Sequence, residues 1–256
     1  MKYSARLTLL AFAAAAALSA SPALGKFGDV VASFPAPAPK PTALAWGGGN
    51  LYCFCETAPF LFWKINPATG NAIGSFRFAK TAENTAGLTH DGKYFWAGNR
   101  VENRIYRFGW GGSTISSFKA TWDVGLGLGW SGFHLWGTEE SGTWSFYLYQ
   151  IRPDGKVVRS YATYYKMYDL AWDGRYLWTP QYDEVAKVYY IVCLELSLGD
   201  TVAKFRAPAD QARGMAYDGT YLWVSTMADN GRLWKIDIGG VGVEPSSLGR
   251  VRALFL

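Results

Sequence analysis

Four stretches of this chain are versions of one motif: HDGKYFWAGN (90–99), WSGFHLWGTE (130–139), WDGRYLWTPQ (172–181) and YDGTYLWVST (217–226). A looser fifth copy, WGGGNLYCFC, occupies 46–55. Aligning them puts Trp46, His90, Trp130, Trp172 and Tyr217 in one column, at intervals of 44, 40, 42 and 45 residues. A repeat of this length limits the chain to architectures built from one supersecondary unit. Each unit has an apolar segment of the GLAW type, then a turn at Asp91-Gly92, Ser131-Gly132, Asp173-Gly174 or Asp218-Gly219, then a second apolar strand. Asp-Gly and Ser-Gly suit hairpins because glycine takes positive φ without steric cost.

A third strand follows in NRIYRF, FYLYQI, YIVCLEL and RLWKID, and a fourth in NAIGSFRF, STISSFKA, KVVRSYAT and DTVAKFRAP. These strands are apolar on both faces. A lone meander cannot bury both, whereas a blade wedged between two neighbours can. The expected fold is therefore all-β, a five-bladed β-propeller of four-stranded antiparallel blades. The fifth repeat has no fourth strand after RLWKIDIGG, yet GDVVASFPAP (28–37) nearly copies GDTVAKFRAP (199–208). The ring should close with Asp29 to Phe34 pairing with the strand around Leu233 to Asp237, removing the open edge. The aromatic column of Tyr52, Trp96, Trp136, Trp178 and Trp223 is expected to fill the wedges between blades.

Residues 1–25 carry Lys2 and Arg6, an apolar run from Leu7 to Leu18 and small residues up to Gly25, the layout of a cleavable export signal. The run is shorter than the roughly 20 residues of a membrane span, so no transmembrane segment is expected. The expected organisation is a signal peptide (1–25), a propeller (26–240) and a tail (241–256) that starts a short helix near Pro245 or packs over the ring. The product is expected to be exported, to the periplasm, cell surface or medium. The leader holds two of the 25 basic residues and none of the 20 acidic ones, which leaves the remainder at +3. That bias, with no basic run, does not call for nucleic acid.

Cys53 and Cys55 sit two apart on a strand, and Cys193 is distant. The expectation is free thiols, with no cofactor or metal, since CFC and the isolated His90 and His134 offer no ligand spacing. A phosphate loop, a GxSxG elbow and a zinc-protease helix are absent, and GWGGS (109–113) reads as a turn.

Any site is expected where the loops after the second strands meet the loops leading into the first strands. The second-strand ends supply Cys55, Asn99, Glu139, Gln181 and Thr226. The other loops add Glu83, Asn84, Asp123, Asp169, Asp210 and Arg213, with Trp122, Tyr165 and Tyr168. From these, Glu83, Asn99, Asp123, Glu139, Gln181, Asp210, Arg213, Trp122 and Tyr165 form the candidate ligand-binding mouth.

The GLAWDGRYLW…IYRF…G pattern, spanning 27–240, resembles secreted repeats of the NHL and quinoprotein-like kind. Five blades with a shared last blade resemble the glutaminyl cyclotransferase family. That resemblance implies conversion of N-terminal glutamine to pyroglutamate by a glutamate at the channel mouth. TEESGTW (138–144) is the nearest stretch to that family's ESTG. Two functions are therefore expected to compete. One is a non-catalytic exported scaffold or binding protein for a glycan, peptide or surface partner. The other is a propeller enzyme, cyclotransferase-like or carbohydrate-directed, with Glu83, Asp123, Glu139 and Asp210 as candidate acids.

Overall fold

The computed structural model describes residues 26–80, 82–122, 124–141, 145–163, 165–196 and 201–239. Residues 1–25 and 240–256, where a signal and a tail are expected, and the candidate Asp123 lie outside the described residues. The chain begins with β1 (Asp29–Pro35). Blade 1 is β2 (Pro41–Gly47), β3 (Asn50–Cys55), β4 (Phe62–Ile65) and β5 (Ala72–Phe76). Blade 2 is β6 (Thr85–His90), β7 (Phe95–Asn99), β8 (Arg104–Phe108) and β9 (Thr114–Lys119). Blade 3 is β10 (Val124–Trp130), β11 (Leu135–Ser141), β12 (Ser145–Ile151) and β13 (Val157–Thr163). Blade 4 is β14 (Ala171–Trp172), β15 (Leu177–Asp183), β16 (Val188–Leu194) and β17 (Thr201–Arg206). Blade 5 is β18 (Ala212–Tyr217), β19 (Tyr221–Thr226), β20 (Arg232–Asp237) and, on its outer side, β1. The inner strands touch in a ring: β2 with β6, β6 with β10, β10 with β14, β14 with β18, and β18 with β2.

The ring closes as the sequence predicts. Asp29 pairs with Asp237, Phe34 with Leu233 and Pro35 with Arg232, with one bulge between Val30 and Ala32. Arg232 donates to Ser33 Oγ at 2.8 Å, and Phe34 stacks on Trp223 at 6.2 Å. The strand that would otherwise be left open is covered by the start of the chain.

Trp96, Trp136, Trp178 and Trp223 are fully buried, and each indole N–H has a partner in its own blade's turn. Trp96 donates to Asp91 at 2.9 Å, Trp178 to Asp173 at 2.7 Å and Trp223 to Asp218 at 2.9 Å. Trp136 donates to Ser131 Oγ at 3.0 Å. The other oxygen of each aspartate caps the turn: Asp173 Oδ1 accepts the N–H groups of Arg175 and Tyr176. Asp91 in blade 2 and Asp218 in blade 5 do the same. One side chain thus closes the hairpin and satisfies a tryptophan that could not otherwise be buried whole. Blade 1 lacks both partners, with Gly47 in place of the aspartate and Tyr52 in place of the tryptophan. A Cβ on Gly47 would sit 2.4 Å from His90 Nδ1, so the histidine that stacks on Tyr52 occupies the room an aspartate would need.

Candidate binding face and the plugged axis

Because each blade is an antiparallel meander, the loops after second strands and those leading into first strands share one face. The Asp-Gly turns lie on the other. Between the faces, the first strands run along the axis with one backbone edge unpaired.

Three positions before the aligned aromatic column stand Ala43, Gly87, Gly127, Asp169 and Gly214, one charged residue in a column of alanine and glycine. The inner strands approach so closely there that a side chain hardly fits. A Cβ on Gly87 would meet Leu128 N at 2.3 Å, one on Gly127 would meet Asp169 Cα at 2.8 Å, and one on Gly214 would meet the Ala43 carbonyl carbon at 2.8 Å. All four fully formed inner strands carry a register shift at this level, which turns the backbone away from its ladder.

The sequence placed Asp169 among the rim carboxylates. In the structure it is completely buried, and its carboxyl group accepts from N–H groups of four blades. Met215 N is 2.9 Å and Leu44 N 3.2 Å from Oδ2, Leu128 N is 3.3 Å from Oδ1, and the neighbouring Leu170 N–H also donates. These donors are the next column of the repeat, Leu44, Leu128, Leu170 and Met215, whose amides would otherwise be left bare in the channel. Burial pushes the Asp169 carboxyl well up, against the pull of its four N–H donors. The axis is stoppered by a carboxyl group committed to structure.

The face above the stopper is polar and aromatic, and differs from blade to blade. Between blades 1 and 2 lies a cleft of about 310 Å³ lined by Glu56, Glu83, Asn84, Thr85, Arg100 and Val101. Glu83 is exposed there, on a short 3₁₀ turn (Ala82–Asn84). Asn99 is buried beneath this cleft and bound to backbone: its Nδ2 donates to Lys80 O at 2.5 Å and its Oδ1 accepts from Glu102 N at 2.9 Å.

On blade 3, half-buried Glu139 accepts from Tyr149 OH at 2.6 Å, and Tyr149 stacks on Trp122 at 4.9 Å. Trp122 is itself buried. Gln181 is buried as well, its backbone bridged to Met167. Asp210 and Tyr165 are exposed. Among the second-strand ends, Thr226 accepts from Trp234 Nε1 at 3.0 Å and Cys55 is buried with its sulfur 3.8 Å from that of Cys53. All three cysteines are buried free thiols, and burial pushes the Cys193 thiol up.

Between blades 4 and 5 the structure brings together residues the sequence did not connect. Arg213 stands 3.9 Å above the ring of Tyr168 and 5.3 Å from that of Tyr189. Tyr189 is 6.0 Å from Tyr168 and 4.7 Å from Tyr182. Tyr182 and Tyr189 come from opposite ends of the loop joining β15 and β16, and Arg213 opens β18. The signal for this cluster was compositional, six tyrosines within 161–182, but nothing in the sequence paired them with Arg213.

No protein-family profile and no curated protein sequence matches the chain. Solved structures do. A glutaminyl cyclase of Myxococcus xanthus superposes with a TM-score of 0.62 at 14% identity, over 82% of this chain and 95% of that one. The PQQ-bound aldose sugar dehydrogenase of Streptomyces coelicolor superposes with a TM-score of 0.52 at 12% identity, over 82% of this chain and 97% of that one. At such identities the likeness is one of fold, and the chain is a five-bladed β-propeller similar in architecture to both.

Proposed function

We propose that this propeller is an exported scaffold or binding protein that recognises a glycan, peptide or surface partner through its loop face, without chemistry of its own. The observation that carries the reading is the division of labour among its carboxyl groups. The deeply buried Asp169 is engaged by four backbone amides, while Glu83 and Asp210 stand exposed on different blades. Acid/base catalysis calls for two groups held together in unlike environments, whereas Glu83 lines the cleft between blades 1 and 2, Glu139 stands on blade 3 and Asp210 on the loop leading into blade 5. A rigid ring that carries unlike polar and aromatic residues on one face is suited to recognition.

A second reading, a cyclotransferase-like or carbohydrate-directed enzyme, is favoured by Glu139. It is the one described candidate acid that is half-buried, hydrogen-bonded to a tyrosine and next to a stacked tryptophan. A glycan and peptide array probed with the full chain tests the first reading, run beside Glu139→Ala/Asp123→Ala and beside the opposite-face variant Lys93→Ala/Arg175→Ala. Binding weakened only by the loop-face change supports it. Turnover of glutaminyl peptides or of an array glycan that Glu139→Gln abolishes would replace it with the second.

A further inference from the structure

We infer that the shelf formed by Arg213, Tyr168, Tyr189 and Tyr182 is a subsite for a carboxylate-bearing sugar, a uronate unit of an acidic oligosaccharide. The inference deepens the loop-face reading and rests on it. Four observations converge.

The guanidinium of Arg213 lies 3.9 Å from the Tyr168 ring, and its Nη1 donates to Ala212 O at 2.9 Å. These contacts fix the plane of the group. Among the described residues no carboxylate lies within ion-pair distance of Arg213, even though Asp210 is three positions away. A planar cation held on aromatic rings, with its remaining N–H groups uncommitted, is preorganised for a two-pronged bond to a carboxylate. The Lys166 ammonium lies 5.5 Å from the same Tyr168 ring.

The tyrosines supply the other half of the recognition. Tyr182, Tyr189 and Tyr168 run in series at 4.7 and 6.0 Å between ring centres. The first two are partly exposed, and Tyr165 beside Lys166 is half exposed. Successive ring faces with phenol groups at their edges suit the alternating C–H and hydroxyl surface of a pyranose chain. A peptide held by strand addition would need a free strand edge, and β16 is paired on both sides, with β15 and β17.

Titration of the full chain with an oligogalacturonate, a neutral galactan of equal length, a glutamate-rich peptide and inorganic phosphate tests the subsite. The oligogalacturonate should bind and weaken as salt rises, the galactan at least tenfold more weakly. Arg213→Ala should cost at least tenfold in affinity and Arg213→Lys an intermediate amount. Arg175→Ala, on the opposite face, should cost nothing. An unchanged melting temperature in Arg213→Lys separates lost recognition from lost folding. Equal binding of the neutral chain, an unchanged affinity in Arg213→Ala, or preference for peptide or phosphate would overturn the proposal. If an array glycan binds through the Glu83 or Glu139 side while the oligogalacturonate does not, the subsite falls and the loop-face reading stands. If nothing binds the loop face, both fall.

Discussion

At the scale of the residue, two aspartate roles organise the molecule. Asp169 spans four blades, and Asp169→Ala would leave four buried N–H groups without acceptors at about 1–3 kcal/mol each. We expect a loss of more than about 3 kcal/mol in urea unfolding. A midpoint close to the parent's would mean that the axial amides are satisfied in some other way. In the turns, Asp218→Ala removes a hairpin cap and leaves the Trp223 indole N–H buried and unpaired. The expected cost is about 1–3 kcal/mol, while Ser131→Asp, which places the aspartate of the other turns beside Trp136, should cost little. Asp91 gives the molecule an acid limb. Burial works to raise its pKa, but the N–H groups of Tyr94 and Lys93, the Trp96 indole and the Arg107 guanidinium outweigh it, so the carboxyl lies below its ordinary range. Its contribution to stability is full above the unfolded pKa and lost as the pH falls through the folded one. Asp91→Asn should therefore lower stability at neutral pH and flatten the loss below about pH 4, measured by denaturation across that range.

At the scale of the element, β1 decides whether the ring is closed. It covers β20 along its whole length, and Phe27 just before it packs on Phe205 at 5.3 Å and near Trp178 at 6.1 Å, which ties blade 5 to blade 4. A chain starting at residue 37 should lose cooperative unfolding and associate through the bare edge of β20. Gly28 N already bonds to Asp237 O at 2.8 Å, so β20 and β1 form a hairpin without a covalent turn. A circular permutant that joins them there and opens between β1 and β2 should keep the fold and its midpoint, read by circular dichroism and urea titration. This closure was legible in the sequence because GDVVASF and GDTVAKF are two copies of one strand. The aspartate-to-tryptophan bond is not legible there, although Asp91, Asp173 and Asp218 each stand five residues before a tryptophan. Their turn role alone accounts for an aspartate beside glycine, so the bond made by the second oxygen leaves no separate mark on the sequence.

At the scale of the whole molecule, the scaffold was readable and the site was not, for a physical reason. Blade columns repeat, and every copy reports on the same packing problem. The meaning of Asp169 exists only when five first strands converge, so along the chain it looks like one more loop carboxylate. The pairing of Arg213 with Tyr168 and Tyr189 likewise depends on two blades meeting. The central claim is that recognition occurs on the loop face of this sealed ring. Hydrogen exchange of the full chain, with and without a ligand found by array, tests it most directly. The account predicts slowed exchange in the loop-face segments 82–85, 99–101, 165–169, 181–189 and 210–213. Slowing confined to the opposite-face turns at 91–94, 131–134, 173–176 and 218–221 would contradict it.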